Sequence, residues 1–250
     1  MTLAADGVPL GFVAASVVAG IAGEAAGQDV ALVVNTGPEF SAAGVFTGED
    51  SAPVLWSRQV LTTGRLRAVV LNAAGANVGL GPAGFQLTHA VAERAAELLD
   101  CGAIEVAVCS TGPAEVPLPR SKLLAGLTDA HARLTGLSVD DGEDSVTLAR
   151  SRVAARRGAS GWRAWGSVTT AQPPDTATLI VFCTDAVAGA DELAEEVAAL
   201  AGDGFADSSP GSSVLVLASG ASGQVPGPGE IAEELIQLWT ELELSGKVTP

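Results

Sequence analysis

Thr178 is the residue whose place in the sequence has the clearest chemical consequence. It stands near the start of an apolar, partly β-branched run, residues 176–185, which predicts a buried strand after the Pro-Pro-Asp turn signal at 173–175. If the chain cut itself between Ala177 and Thr178, the new α-amine could act as general base for the neighbouring hydroxyl. The plainer interpretation is a threonine chosen for its β-propensity at a strand edge. The residues of this run alone favour that plainer interpretation.

Two other stretches could supply hydrogen-bond donors to such a nucleophile. Thr111 and Gly112 follow a predicted strand, where a hydroxyl and an N–H could stabilise a developing oxyanion, although Ser-Thr-Gly is also ordinary turn sequence. The glycine-rich loop 72–81 lies between a predicted strand and a predicted helix. It could be an anion cradle at a helix N-terminus or a tight turn, and its glycine spacing matches neither a dinucleotide-binding loop nor a P-loop.

The remaining polar residues suggest no competing catalytic group. The sequence has no G-x-S-x-G elbow. We expect His89 and His131 to be helix residues with structural roles. The acidic cluster at 140–144 lacks the glycine and terminal glutamate of an EF-hand loop, which favours a solvated turn. We therefore expect no metal and no cofactor.

The composition narrows the class of protein and of partner. The chain has 250 residues, of which 48% are hydrophobic and 17% charged, which predicts a folded protein of one large or two small domains. A net charge of −16 repels phosphate backbones and anionic lipid, so no nucleic-acid or membrane partner is expected.

Cys101, Cys109 and Cys183 are scattered and predict reduced, buried thiols. No Lys or Arg precedes Arg58, which argues against a signal peptide and for a cytoplasmic location.

Strand-like and helix-like segments alternate, which predicts an α/β fold. Strands are predicted at 30–35, 42–47, 66–72, 104–109, 176–185 and 213–218. Helices are predicted at 82–100, 119–127, 188–200 and 230–244, and the segment 52–61 is either a docking segment or a short helix. Residues 10–23 are predicted as a short strand or loop before a turn, and the charged segment 138–160 as a surface excursion or linker.

Short collinear segments along most of the chain resemble one enzyme family. They are 11–15, 31–34, 45–47, 52–58, 69–72, 81–84, 105–112, 177–178, 184–186 and 218–223. The family is that of ornithine acetyltransferase, also called glutamate N-acetyltransferase or ArgJ. The likeness runs from about residue 11 to 245, and a collinear series of this kind is more specific than any single motif.

The resemblance implies both a fold and a reaction. It implies a DmpA/ArgJ-like layered α-β-β-α arrangement, with 1–177 as an α-chain-like domain and 178–250 as a truncated β-chain-like part. Family members cleave themselves before a threonine, which falls here on Thr178. That threonine takes an acetyl group from N-acetylornithine and passes it to glutamate, and the family's oxyanion hole falls on Thr111 and Gly112.

The departures from the family concern amino-acid binding. The family's substrate-binding lysine, 11 residues before the nucleophile, falls on Ser167, and the nearby cation Arg163 is not at the matching position. The segment 208–212 stands where the family has Ser-Thr-Asn-Asp-Thr. A substrate-contacting glutamate falls on Lys247, after which we expect the family's further C-terminal lobe to be lacking.

The sequence therefore leaves more than one function open. One is a Thr-nucleophile acyltransferase, or an amidohydrolase with altered substrate, acting on a small amino-acid or acyl compound. The alternative is a catalytically inactive paralogue that acts as a binding or assembly partner, with 230–244 as a candidate interface helix, or a truncated product without a retained role. In either functional case we expect a homo-oligomer or a complex with a full-length relative. We also expect little or no transfer from N-acetylornithine to glutamate.

Overall fold

A computed structural model describes residues 8–21, 23, 27–136, 151–170, 177–201 and 209–245. The side chains at 135–136, 151–157, 167–170, 200–201 and 241–245 are outside this description, as are the predicted acidic turn at 140–144 and Lys247. Within the described residues no helix is both long enough and apolar enough to cross a membrane.

Nine strands and five helices follow one another along the described chain. The strands are β1 Phe12–Val17, β2 Val30–Asn35, β3 Ser41–Phe46, β4 Ala68–Asn72, β5 Val106–Ser110, β6 Ser151–Arg157, β7 Arg163–Thr170, β8 Thr178–Thr184 and β9 Ser213–Ala218. The helices are α1 Ala52–Leu61, α2 Gly81–Leu99, α3 Arg120–Gly136, α4 Ala190–Ala201 and α5 Glu230–Ser245.

The strands form two sheets, each with one parallel pair. Sheet A has the order β1-β2-β4-β5 and sheet B the order β3-β9-β8-β7-β6. In sheet A only β4 and β5 are parallel, and in sheet B only β8 and β9 are parallel. Each parallel pair needs a crossover, which α2 provides in sheet A and α4 in sheet B.

Three apolar layers lie between these elements, one between the two sheets and one on the outer face of each sheet. Side chains of both sheets meet in the central layer, among them Val33, Leu71, Val181 and Leu217. The outer face of sheet A packs against α2 and α3, and the outer face of sheet B against α4 and α5. The fold is therefore α/β with the layers α-β-β-α, as the resemblance implied.

The inner strands read as continuous apolar runs because both of their faces are covered. All six residues of β2 and of β9 are buried, and so is every residue of β8 after Thr178. Each fully buried Leu, Ile or Phe contributes about 1.5–3 kcal/mol relative to an exposed one. These are also the strands that the sequence predicts best.

Helix α1 resolves the uncertain segment 52–61 and closes one edge of sheet A. Ser51 caps the helix by accepting a hydrogen bond from the Val54 N–H. The Trp56 indole donates to the Val106 carbonyl at 2.9 Å. The Ser57 hydroxyl donates to the Val108 carbonyl at 2.8 Å and accepts from the Val108 N–H at 3.0 Å. Side chains of α1 thus satisfy backbone groups of β5 that would otherwise form a free edge.

The prediction of a linker over 138–160 is wrong for its second half. Ser151–Arg157 is strand β6, paired antiparallel with β7 along its whole length, from Ser151↔Thr169 to Arg157↔Arg163. The many arginines suggested a solvated segment, but β6 is the last strand of sheet B, where charged residues are common. Helix α3 also extends to Gly136, well beyond the predicted end at 127.

Candidate active site

The candidate site lies where the parallel pairs of the two sheets meet. β4 and β5 end side by side, with Asn72 opposite Ser110. β8 and β9 begin side by side, with Leu179 opposite Ser213. The turn after β5 contacts the residue before β8. The predicted oxyanion pair and the predicted nucleophile therefore belong to neighbouring segments.

Thr111 contacts the peptide group that precedes Thr178. Its hydroxyl donates a hydrogen bond to the carbonyl oxygen of Ala177. The side chains of Thr111 and Ala177 are both buried. The carbonyl oxygen at the predicted cleavage point thus accepts a hydrogen bond from one of the two predicted oxyanion donors.

Gly112 holds a backbone conformation that only glycine adopts without strain. Its φ is +138°, and an added Cβ would collide with the backbone of Ala74 and Gly75. The residue is buried, and its N–H makes no hydrogen bond to any other described residue. A buried N–H that follows Thr111 in the chain and has no partner among the described residues is suited to a second hydrogen bond with an oxyanion.

The glycine-rich loop 72–81 supports the turn after β5. The Gly75 N–H donates to the Thr111 carbonyl at 3.0 Å, and the Ala76 N–H donates to the Pro113 carbonyl at 3.1 Å. These donors are therefore already used. Ala76 and Val78 pack against the Ala177 side chain, so the loop also fixes the residue before Thr178. Of the two interpretations left open, the structure supports the tight turn.

Thr178 is held through its backbone nitrogen. The N–H donates to the Ser212 hydroxyl oxygen at 2.9 Å. The residue is partly exposed, and no hydrogen bond joins its hydroxyl to another described residue. Sequence reasoning missed Ser212, although its place just before β9 becomes informative once β8 and β9 are known to be parallel neighbours.

Two buried thiols lie within the central layer, and neither is a nucleophile. Burial raises the pKa of Cys109 to about 12, and burial also raises the pKa of Cys183. Both therefore stay protonated at neutral pH, and a protonated thiol is unreactive. Among the described residues no group of three or more His, Cys, Asp or Glu side chains is arranged to hold a metal ion.

His89 has the structural surroundings that the sequence predicts. Its ring packs edge-on against Trp56, with centroids 5.0 Å apart, and lies over Phe85. Its Nδ1 is 3.4 Å from a carboxylate oxygen of Glu93. His131 lies within α3.

Arg163 does not stand in for the family lysine. β7 and β8 are antiparallel, so Thr170 lies opposite Thr178 while Ala164 lies opposite Thr184. At about 3.3 Å per residue, Arg163 is roughly 20 Å along the sheet from Thr178. Ser167, at the lysine position, lies in the middle of β7 opposite Val181.

Sequence comparison places this arrangement in a family. The model of the ArgJ family matches residues 13–245, so the chain belongs to the ArgJ family. Two similar curated proteins are each named arginine biosynthesis bifunctional protein ArgJ. The one from Streptomyces coelicolor is 44% identical over 238 residues, covering 89% of this chain and 61% of its own length. The one from Mycobacterium tuberculosis is 41% identical over 262 residues, covering 96% of this chain and 65% of its own length. The chain thus spans less than two thirds of these relatives.

A solved structure shows the same likeness. It is the crystal structure of ornithine acetyltransferase complexed with ornithine from Mycobacterium tuberculosis, with 45% sequence identity and a TM-score of 0.58. The match covers 69% of this chain and 95% of that chain. The solved chain is therefore shorter than this one, whereas the curated M. tuberculosis sequence is longer.

Proposed function

We propose that this chain is a Thr-nucleophile acyltransferase that cuts itself between Ala177 and Thr178. The observation that carries the proposal is the hydrogen bond from the Thr111 hydroxyl to the Ala177 carbonyl oxygen. The N–H of Gly112, the residue after Thr111, has no hydrogen-bond partner among the described residues. The two residues would stabilise the negative charge that develops on this oxygen when a nucleophile attacks the carbonyl carbon.

Cleavage of the peptide bond requires only Thr178 and one water molecule as reactants. The Thr178 hydroxyl oxygen bonds to the Ala177 carbonyl carbon, the C–N bond breaks, and the hydroxyl proton passes to the nitrogen. The product is an ester between Ala177 and the Thr178 oxygen. Water then adds to the ester carbon and the C–O bond breaks, which leaves a carboxylate at Ala177 and a free amine and hydroxyl at Thr178.

The same groups would then run acyl transfer. The α-amine accepts the hydroxyl proton as Thr178 attacks an acyl donor, and Thr111 with Gly112 stabilises the new oxyanion. The family and the names of its members indicate acetyl transfer between amino acids in arginine biosynthesis. N-acetylornithine as donor and glutamate as acceptor are the first compounds to assay. Ser167 in place of a lysine leads us to expect weak turnover of this pair.

A further observation concerns the fate of a chain that is divided in this way. The proposed cleavage point is at the start of β8, which is hydrogen-bonded to β7 on one side and to β9 on the other. The two fragments would therefore remain joined by the sheet after the cut.

The test is the mass of the purified chain under denaturing conditions. We expect two fragments, the second beginning at Thr178. Thr178→Val keeps the shape but lacks the hydroxyl and should stay intact, while Thr178→Ser keeps a hydroxyl and should be cut. A wild-type chain that remains whole would overturn the proposal and favour the inactive paralogue that acts as a binding partner.

A further inference from the structure

We propose that Ser212 is the positioning residue for the nitrogen of Thr178. This inference rests on the proposed function, because it assigns a role to the nitrogen that leaves in the cut and later acts as base. Ser212 is fully buried, and its hydroxyl oxygen lies 2.9 Å from that nitrogen. Outside the strand ladders, no other described residue hydrogen-bonds to the nitrogen of Thr178.

The Ser212 hydroxyl is fixed as an acceptor toward Thr178. Its own proton is donated to the Ser209 carbonyl at 2.7 Å, so only its lone pairs remain for the Thr178 N–H. A hydroxyl has one proton to donate, and here it is already used. The contact therefore has a defined direction, from the nitrogen to Ser212.

The backbone of Ser212 is itself held by the end of β3. Its N–H donates to the Thr47 hydroxyl and to the Ser209 carbonyl, each at 3.2 Å, and its carbonyl accepts from the Thr47 N–H at 3.0 Å. The Thr47 hydroxyl donates to the same Ser209 carbonyl at 2.7 Å. Thr47, Ser209 and Ser212 thus form a closed network that holds the acceptor in place before any reaction.

This acceptor would orient the nitrogen at both stages. A free amine rotates about its N–Cα bond, and one N–H held by Ser212 restricts that rotation. The nitrogen lone pair is then kept for the proton of the Thr178 hydroxyl. In the cut and in acyl transfer alike, this proton moves from oxygen to nitrogen, and Ser212 neither gains nor loses one. Orientation of this kind is worth an order of magnitude or more in rate.

The first experiment measures the rate of self-cutting in variants of Ser212. We expect Ser212→Ala to be cut at least about tenfold more slowly than wild type. Ser212→Thr and Ser212→Val form a matched pair of nearly equal shape, so Ser212→Thr should be cut and Ser212→Val should resemble Ser212→Ala. Ser213→Ala removes the neighbouring buried hydroxyl and should be cut at the wild-type rate. If Ser212→Ala does not fold, the Thr and Val pair decides the question.

The second experiment uses chains that have already been cut, with p-nitrophenyl acetate as the acyl donor. The rate of Thr178 acetylation is followed against pH by the mass of the second fragment. A protonated amine donates more strongly than a neutral one, so loss of the acceptor disfavours protonation. The acid limb of the Ser212→Ala profile should therefore move to lower pH by several tenths of a unit, which a purely structural role would not cause.

The outcomes separate the two proposals. If wild type is cut, and Ser212→Ala and Ser212→Val are both cut at the wild-type rate with an unshifted acid limb, the proposed role of Ser212 is wrong. The proposed function then still stands. If Ser212→Val is cut as fast as Ser212→Thr, the hydroxyl has no role. If wild type is not cut before Thr178, both proposals fail.

Discussion

The two ends of β8 are held in opposite ways. At the Thr178 end the partners are neutral, a serine hydroxyl on the nitrogen and a threonine hydroxyl on the preceding carbonyl. At the other end stands Asp185, a buried carboxylate that accepts from the Arg163 N–H at 2.6 Å and the Leu10 N–H at 3.4 Å. The Arg163 guanidinium lies 3.7 Å from the same carboxylate.

The difference between the two ends of β8 suggests that the Asp185 end contributes mainly to stability and the Thr178 end mainly to reactivity. The Asp185 carboxylate joins β7, β8 and the segment before β1, so its partners hold the two sheets together. The Thr178 end leaves the Thr178 hydroxyl and the Gly112 N–H without partners among the described residues. Unpaired polar groups in a protected site cost stability and are typical of functional positions. Substitutions at the two ends should therefore have different effects.

The largest effect is expected from Thr111→Val at the Thr178 end. The substitution keeps the shape and removes the donor to the Ala177 carbonyl, so self-cutting should slow by about 10²–10³-fold. Stability should fall by only about 1 kcal/mol, because one buried carbonyl loses one hydrogen bond. The fraction of uncut chain over time and urea unfolding measure the two quantities. Unchanged cutting in a folded variant would remove Thr111 from the mechanism.

Asp185→Ala should show the opposite result. It leaves a partly buried guanidinium and two backbone N–H groups without their acceptor, which should cost about 3 kcal/mol of unfolding free energy. Urea unfolding measures the loss in chains that also carry Thr178→Val, so that the Asp185→Ala chain and its control are both uncut. The folded fraction of Asp185→Ala should still be cut at the wild-type rate. Slow cutting in that fraction would show that the two ends are coupled.

The parts of the fold that the sequence predicts are those where burial alone determines the pattern. The strand at 30–35 agrees with β2 because both of its faces are covered, so residues 30–34 are all apolar. The hairpin of β6 and β7 was missed because a charged strand at a sheet edge has the composition of a linker. Local composition cannot distinguish these two structures, since the partner strand is what differs.

The candidate site likewise contains residues that the sequence indicates and one that it does not. Thr111, Gly112 and Thr178 are candidates by residue type and position, the resemblance makes them the expected site, and the structure joins Thr111 to the residue before Thr178. Ser212 was not found, because its contact joins residues 34 apart in sequence and depends on the register of a parallel pair. Arg163 seemed near Thr178 in sequence, but the antiparallel pairing of β7 and β8 carries it to the far end.

A smaller effect is expected from Glu230, near the Asp185 end. Its carboxylate accepts hydrogen bonds from the N–H groups of Gly227 and Ser160 and from the Trp162 indole, and these bonds lower its pKa from 4.5 to about 2. A lowered pKa stabilises the folded state above pH 4.5, and this stabilisation is lost as the pH falls from 4.5 toward 2. Solvent screening limits it to about 1 kcal/mol or less.

The measurement compares Glu230→Gln with wild type by urea unfolding at several pH values. The difference in stability should be present at neutral pH, shrink through the interval from 4.5 to 2, and be nearly absent at its lower end. Both chains also carry Thr178→Val, so that the amine and carboxylate that the cut would release do not contribute to the pH dependence. A difference between Glu230→Gln and wild type that is constant with pH would show that the carboxylate charge is not involved.

The smallest effect, and the sharpest comparison of the two ends, comes from the three thiols. Cys109 lies beside the Thr178 end and Cys183 beside the Asp185 end, both buried, while Cys101 is half-buried. A disulfide reagent should modify Cys101 first, because buried protonated thiols react only after local opening. In Asp185→Ala we expect Cys183 to react several times faster than in wild type while Cys109 changes less. Mass spectrometry of the modified fragments follows each thiol separately. Equal acceleration at both positions would mean that the two ends of β8 open as one unit, so that stability and reactivity are not divided along this strand.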